Sequence, residues 1–137
     1  MIMKKEKKIY VPMGADILHS GHLNIIKIAK RYGKVVVGLF TDSAIGEYKR
    51  LPLINYAQRL EILKNIKGVD QIVKQDTWDY SKNLRKIKPD FLIHGDDWKT
   101  GIQKQTRLKV IKLLNIWGGK LIEVPYTDEN KIKINKK

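Results

Sequence analysis

The stretch KIYVPMGADILHSGH, residues 8–22, decides how this chain folds. Its first six residues form an apolar run of strand length that ends at Met13, behind a charged leader. Pro12 fits near a strand terminus, where no ladder donor is needed. Gly14, Ala15 and Asp16 follow as small turn residues, and His19-Ser-Gly-His22 leads into a periodic segment. There Leu23, Ile25, Ile26, Ile28 and Ala29 line one side of a helix predicted from about His22 to Tyr32. A strand that ends in such a turn and runs straight into a helix exposes backbone N–H groups, and the helix adds its positive dipole end. Two imidazoles three residues apart share one side of a first helical turn. Gly21 between them lets a bulky ligand approach the backbone. The combination suits chemistry in which negative charge builds up on phosphorus. On spacing alone, two exposed histidines at a helix start or half of a zinc site remain open readings. Zinc is disfavoured, because the chain has no cysteine and its only other histidine is His94.

Outward from this stretch, strands and helices alternate. Gly33 stops the first helix, and Lys34–Phe40 is a continuous apolar run, the pattern of a parallel strand covered on both faces. Thr41-Asp42-Ser43 can cap a short helix, and residues 46–53 read as an irregular loop carrying Lys49 and Arg50. A helix from Asn55 to Ile66 turns Leu60, Leu63 and Ile66 inward. A short strand spans 71–74, and a helix led in by Asp79-Tyr80-Ser81 stops before Pro89. A strand over 90–94 runs into Gly95-Asp96-Asp97-Trp98. A helix over about 102–117 is ended by Gly118-Gly119, and a last strand spans 120–124. The alternation predicts an α/β fold: a Rossmann-like, doubly wound parallel five-stranded sheet in a single domain. That domain spans residues 1–127, with a polar basic tail over 128–137. Ligands of such sheets bind past the carboxyl ends of the strands at the switch in strand order. The loops after strands one and four arrive there together.

Bulk properties narrow the function. No apolar run approaches membrane-spanning length, and no signal peptide is visible. The absence of cysteine excludes disulfides and thiol catalysis and fits a cytoplasmic protein. The net charge of +14 suits an enzyme that collects polyanionic nucleotides. It also suits nucleic acid, but no RNA-module signature or aromatic-basic interleaving accompanies it.

At this point the residues resemble a known family. His19-Ser-Gly-His22 is similar to the HxGH motif of the nucleotidyltransferase superfamily, and Gly95-Asp96-Asp97-Trp98 to the second motif of its cytidylyltransferase branch. The loop with Lys49, and Tyr56-Ala-Gln-Arg59, match that branch too. The fuller text MGADILHSGH, YKRLP and HGDDWKTGIQ is most similar to phosphonate cytidylyltransferases of the 2-aminoethylphosphonate type. The resemblance runs from about Ile9 to Thr127.

The resemblance implies transfer of CMP from CTP to a small phosphonate, with Mg²⁺ assisting and pyrophosphate leaving. A glycerol 3-phosphate or phosphocholine acceptor is the alternative. Carried over by position, His19 and His22 would donate to the α-phosphate and the leaving bridge oxygen, and Lys49 would clamp phosphate oxygens. Met13, Gly14, Ala15 and Asp16 would form the phosphate turn, and Gly95, Asp96 and Trp98 would line the nucleoside pocket. Arg59 would support the nucleotide site, and Asp97 would pair with an acceptor ammonium. A homodimer is implied as well. Plainer roles stand beside these: Lys49 as a solvated lysine, Arg59 in a helix salt bridge, Asp96 and Asp97 as turn caps, Trp98 as a core anchor, His94 as a structural strand end. Two features depart from the family. Gly14 stands where Ser or Thr is usual. After the last strand the chain reads Asp128-Glu129-Asn130-Lys131, where the family has Gly-Ile-Ser-Thr-like residues at a triphosphate-binding helix start. Two carboxylates have the wrong sign for that cradle. A different class of function, a catalytically weak CTP-binding module, follows from this departure.

Overall fold

The computed structural model describes residues 6–48, 50–99, 101 and 103–125. Five parallel strands, β1 (Lys8–Met13), β2 (Lys34–Phe40), β3 (Gln71–Gln75), β4 (Phe91–Gly95) and β5 (Lys120–Val124), form one sheet in the order β3-β2-β1-β4-β5. The helices are α1 (Ser20–Lys30), α2 (Asp42–Tyr48), α3 (Tyr56–Lys64), α4 (Ser81–Ile87) and α5 (Lys104–Asn115), with a single 3-10 turn over Asp96–Trp98. The doubly wound sheet expected from the alternation is the one observed. Its switch point lies between β1 and β4, which pair through Ile9–Phe91 and Tyr10–Leu92.

Two apolar layers sandwich the sheet, which explains the unbroken burial of β2. On one face Ile9, Val11, Val35 and Val37 meet Ile26, Ala29 and Leu63. On the other, Tyr10, Val36 and Leu92 meet Leu84, Val110 and Leu114. Gly38 is required where Tyr10 crosses β2, because a Cβ there would sit 2.0 Å from the phenol oxygen. The Tyr10 hydroxyl donates to the Gln75 side chain and accepts from Asn83 at 3.0 Å, tying β1 to β3 and α4. Gly33 ends the turn after α1 with φ +153°, and a Cβ there would meet the Lys7 carbonyl at 2.3 Å.

Element boundaries shift where caps decide them. α1 begins at Ser20, not His22, because His19 itself caps the helix. α2 runs through Gly46 to Tyr48, where the sequence suggested a loop. The Thr41 hydroxyl accepts from Ala44 N at 3.3 Å, and Ala44 and Ile45 are buried, so packing outweighs the weak local propensity. α5 starts at Lys104, two residues later than read, and ends at Asn115.

Candidate functional site

The turn after β1 builds the site. Ala15 sits at φ +52°, a left-handed conformation unusual for a residue with a Cβ. This swings the chain from β1 toward α1, and Asp16 fixes the far side of the turn. Its carboxylate accepts from Ile54 N at 3.0 Å, linking the turn to the start of α3. Desolvation pushes the Asp16 carboxyl up, but amide donors from Ile54 and Leu53 and the charges of Arg50 and Arg59 outweigh it. The net shift is below the usual carboxylate range.

His19 and His22 then form a reciprocal cap. Gly21 N donates to His19 Nδ1 at 3.0 Å, and His19 N donates to His22 Nδ1 at 3.2 Å. Each Nδ1 is an acceptor, so each neutral ring carries its proton on Nε2. The rings lie 4.2 Å apart at 54°. Burial, reinforced by the neighbouring His19, lowers the His22 pKa to about 4. At neutral pH His22 is therefore an uncharged N–H donor. The capping box, a motif of Ser/Thr and Glu/Gln, is here made by two imidazoles.

Both histidines line a cleft of about 360 Å³. Its floor is the Gly14–Ile17 turn, and its other walls come from Phe40, Ile45, Arg50 and Trp78. Phe40 ends β2, and Trp78 lies in the loop after β3. Their rings stack at 4.4 Å and 30°, and the Trp78 indole donates to Ala44 O at 2.5 Å. The cleft thus spreads from β1 toward β2 and β3. Phe40, Ile45 and Trp78 carried no motif. Phe40 and Trp78 do follow the carboxyl ends of strands, which is the signal that could have found them.

The remaining candidates fall into two groups. Arg59 lies beneath the turn, 1% exposed. Nε donates to Ile54 O at 2.8 Å, Nη1 to Gly14 O at 2.7 Å and Phe40 O at 2.8 Å, and Nη2 to Asp42 at 2.7 Å. It clamps the ends of β1 and β2 to α2 and α3, and the salt bridge considered for it is to Asp42, outside its own helix. Met13 is buried at the end of β1. Gly95 ends β4 and Asp96 and Trp98 follow it, on the opposite side of β1 from β2, and none of the three is among the described residues lining the cleft. Gly95 and Asp96 are half-buried there. Trp98 is 1% exposed and stacks flat on His94 at 3.7 Å and 5°. Its indole donates to Glu123 at 2.9 Å. The core-anchor role weighed for Trp98 is the one its side chain occupies. His94 is the next-to-last residue of β4, with Nδ1 against Gly95 O at 2.8 Å. Lys49, the Asp97 side chain and the tail over 128–137 lie outside the described residues. Among the described residues no three His, Asp or Glu side chains converge as a metal cage. No helix among them is long and apolar enough to cross a membrane.

Residues 15–133 match the family described as cytidylyltransferase-like. FAD synthase of Methanothermus fervidus is 42% identical over 86 residues, covering 60% of this chain and 59% of that protein. FAD synthase of Methanobrevibacter smithii is 35% identical over 103 residues, covering 72% and 67%. Ethanolamine-phosphate cytidylyltransferase of Dictyostelium discoideum is 30% identical over 100 residues, covering 72% of this chain but 28% of that protein. The alignments therefore span about three-fifths to two-thirds of the FAD synthases. Among solved structures, a lipopolysaccharide core biosynthesis protein from Thermoplasma volcanium superposes with a TM-score of 0.73 over 90% of this chain and 98% of that one, at 24% identity. That likeness is one of fold.

Proposed function

The chain belongs to the cytidylyltransferase-like family, and we propose that it transfers a nucleotidyl group from a nucleoside triphosphate to a small acceptor carrying a phosphonate or phosphate. Within that class the reading is CMP transfer from CTP to a phosphonate resembling 2-aminoethylphosphonate. The acceptor oxygen attacks the α-phosphorus, the bond from that phosphorus to the bridging oxygen breaks, and pyrophosphate leaves.

The reciprocally capped His19–His22 pair carries this reading. Its tautomers are fixed by backbone donors, so two Nε2–H groups stand ready at a helix N-terminus without reorganisation. Preorganised donors of this kind stabilise charge that develops in a transition state. The sheet order supports an in-line displacement, in which attacking and leaving oxygens lie on opposite sides of phosphorus. The histidines follow the central strand β1. The aromatic cleft lies toward β2 and β3, and the Gly95-Asp96 turn lies toward β4. The acceptor takes the first side and the nucleoside the second. The stacked Phe40 and Trp78 rings give the acceptor side a surface that favours a small ammonium-bearing molecule.

Magnesium fits as a passenger of the nucleotide. With a lone carboxylate, Asp16, among the described cleft residues, the ion would be held chiefly by triphosphate oxygens, as Mg²⁺ commonly is. When bound, it neutralises charge on the triphosphate. The acceptor end of the reaction is left to protein groups. A homodimer belongs to the same reading and is tested by light scattering of the full chain.

Relatives named FAD synthase favour a second reading, with ATP as donor and the phosphate of FMN as acceptor. One experiment separates the two. Pyrophosphate release is measured with CTP or ATP against 2-aminoethylphosphonate, phosphoethanolamine, glycerol 3-phosphate and FMN, beside a His19→Ala/His22→Ala variant. Release with CTP and 2-aminoethylphosphonate, abolished in the variant, supports the phosphonate reading. Release only with ATP and FMN replaces it. CTP binding without release from any pair points to a binding module.

A further inference from the structure

We infer that Glu123 and Arg107 are positioning residues for the nucleotide half of the site, acting through Trp98. The inference rests on the placement of the nucleoside beside the Gly95-Asp96 turn, proposed above. Neither Glu123 nor Arg107 lies in a motif, and neither reaches the histidine cleft. Glu123 stands on β5 directly opposite His94 of β4. One carboxylate oxygen, Oε2, accepts both the Trp98 indole N–H at 2.9 Å and Arg107 Nε at 3.1 Å. The other, Oε1, accepts Arg107 Nη2 at 2.8 Å. The arginine therefore approaches as a fork from α5, a geometry that fixes direction as well as distance.

The consequence is a chain of constraint from β5 and α5 into the turn after β4. Trp98 is fully buried, with one face against His94 and its polar edge tied to Glu123. The indole can then rotate neither about its stack nor out of its pocket without leaving a buried N–H unpaired. Trp98 closes the 3-10 turn that begins at Asp96, and Lys99 N donates to Asp96 O at 3.4 Å. Holding Trp98 thus holds the Gly95-Asp96 backbone. Arg107 holds the Glu123 carboxyl below its usual range, ahead of opposing desolvation, so the acceptor for the indole stays ionised at neutral pH. Trp98 also reaches the aromatic wall through Tyr80, whose ring lies 6.3 Å from Trp98 and 6.0 Å from Phe40. These hydrogen bonds of the Glu123 carboxylate, by contrast, go to Trp98 and Arg107, which are not among the described cleft residues.

The test is CTP binding by calorimetry and steady-state kinetics on the full chain. Glu123→Leu removes the acceptor and is expected to raise the CTP Kd about tenfold, the size of one lost hydrogen bond, with the acceptor KM and kcat little changed. Glu123→Gln keeps an oxygen for the indole and stays closer to the unmodified protein. Trp98→Phe keeps the ring and loses the N–H, and should match Glu123→Leu. It decides the matter if Glu123→Leu does not fold. An unchanged CTP Kd in folded Glu123→Leu or Trp98→Phe overturns the inference, as does an equal rise in acceptor KM. If the unmodified chain binds CTP but releases no pyrophosphate, the transfer reading fails while the Kd comparison still decides this one. If it binds no nucleotide, both fall.

Discussion

The turns after β1 and β4 sit side by side at the switch point and use their side chains in opposite ways. The first turns its histidines outward into a cleft and fixes them with its own backbone amides. The second buries its largest residue, Trp98, and relies on a carboxylate from another strand to hold it. A motif is therefore not a roll of ligand-contacting residues. Here one motif lines an open cleft, while the other supplies internal support for its own turn. Arg59 shows the same division within the first half. It is as buried as Trp98, and its donors meet carbonyls of the β1 turn, the end of β2 and the approach to α3.

The largest effect should come from removing that support. Arg59→Met leaves the carbonyls of Gly14, Phe40 and Ile54 without their donor, while the Asp42 carboxylate, 40% exposed, keeps access to water. With about 1–3 kcal/mol for each acceptor left unpaired, the expected loss is about 3–5 kcal/mol, read from urea unfolding. Arg59→Lys should recover little of it, because an ammonium cannot serve four acceptors in one plane. A loss below about 1 kcal/mol would place Arg59 among ordinary surface pairs such as Lys109–Asp79, and would break the comparison with Trp98.

Next come the histidines, where rate should respond more than stability. His22→Ala is expected to cost about 10²–10³ in kcat, the usual size for one lost donor. His19→Asn is the sharper variant. Asparagine caps helices well, so α1 should hold its stability while the Nε2–H is lost. A variant that keeps both its unfolding midpoint and its turnover would show that His19 serves only as a cap.

A smaller effect is set by pH. The folded value for His22, about 4, lies below the ordinary 6.5 because burial disfavours the imidazolium. Between those limits the unfolded chain binds more protons than the folded one, so stability rises with pH. The contribution is complete above pH 6.5, shrinks as pH falls, and is lost near pH 4. Exposed carboxylate pairs contribute elsewhere. Asp79, held near 2 by Lys109 and Ser81, acts below the ordinary carboxylate value of 3.8. The difference in denaturant midpoint between the protein and His22→Gln should shift steadily between pH 4 and 6.5, in favour of the unmodified protein as pH rises, and stay constant above pH 6.5. Parallel curves between pH 4 and 6.5 would assign the slope to other groups.

Much of the fold was legible because local and global signals agree. The continuous burial of β2 reads directly from KVVVGLF, and strand five was placed to the residue. The histidine pair was legible because i and i+3 spacing needs only a helix start. Boundaries failed where the cap was unusual. Histidine is not an expected N-cap, so α1 was read two residues late. The aromatic wall and the Glu123–Arg107 pair were not legible, because each is assembled from segments far apart in the chain. Arg107 and Glu123 are 16 residues apart, and Phe40 ends β2 while Trp78 lies in the loop after β3. Such contacts exist only once sheet order and register are known.

The smallest effect concerns Ala15, whose φ of +52° places a Cβ where glycine is the easier residue. Ala15→Gly removes a left-handed strain of about 1 kcal/mol, yet it loosens the unfolded chain by a similar amount. It also deletes a methyl that is 6% exposed and packed in the core under the turn. These terms oppose, so the net change in stability should stay within about 1 kcal/mol. Turnover is the more telling readout. If the methyl serves to hold the turn against Ile26 and its neighbours, glycine should lower kcat several-fold while leaving CTP affinity to the turn after β4. A matched loss in both parameters would mean that the two turns move as one unit, and that the division of labour between them is less complete than their side chains indicate.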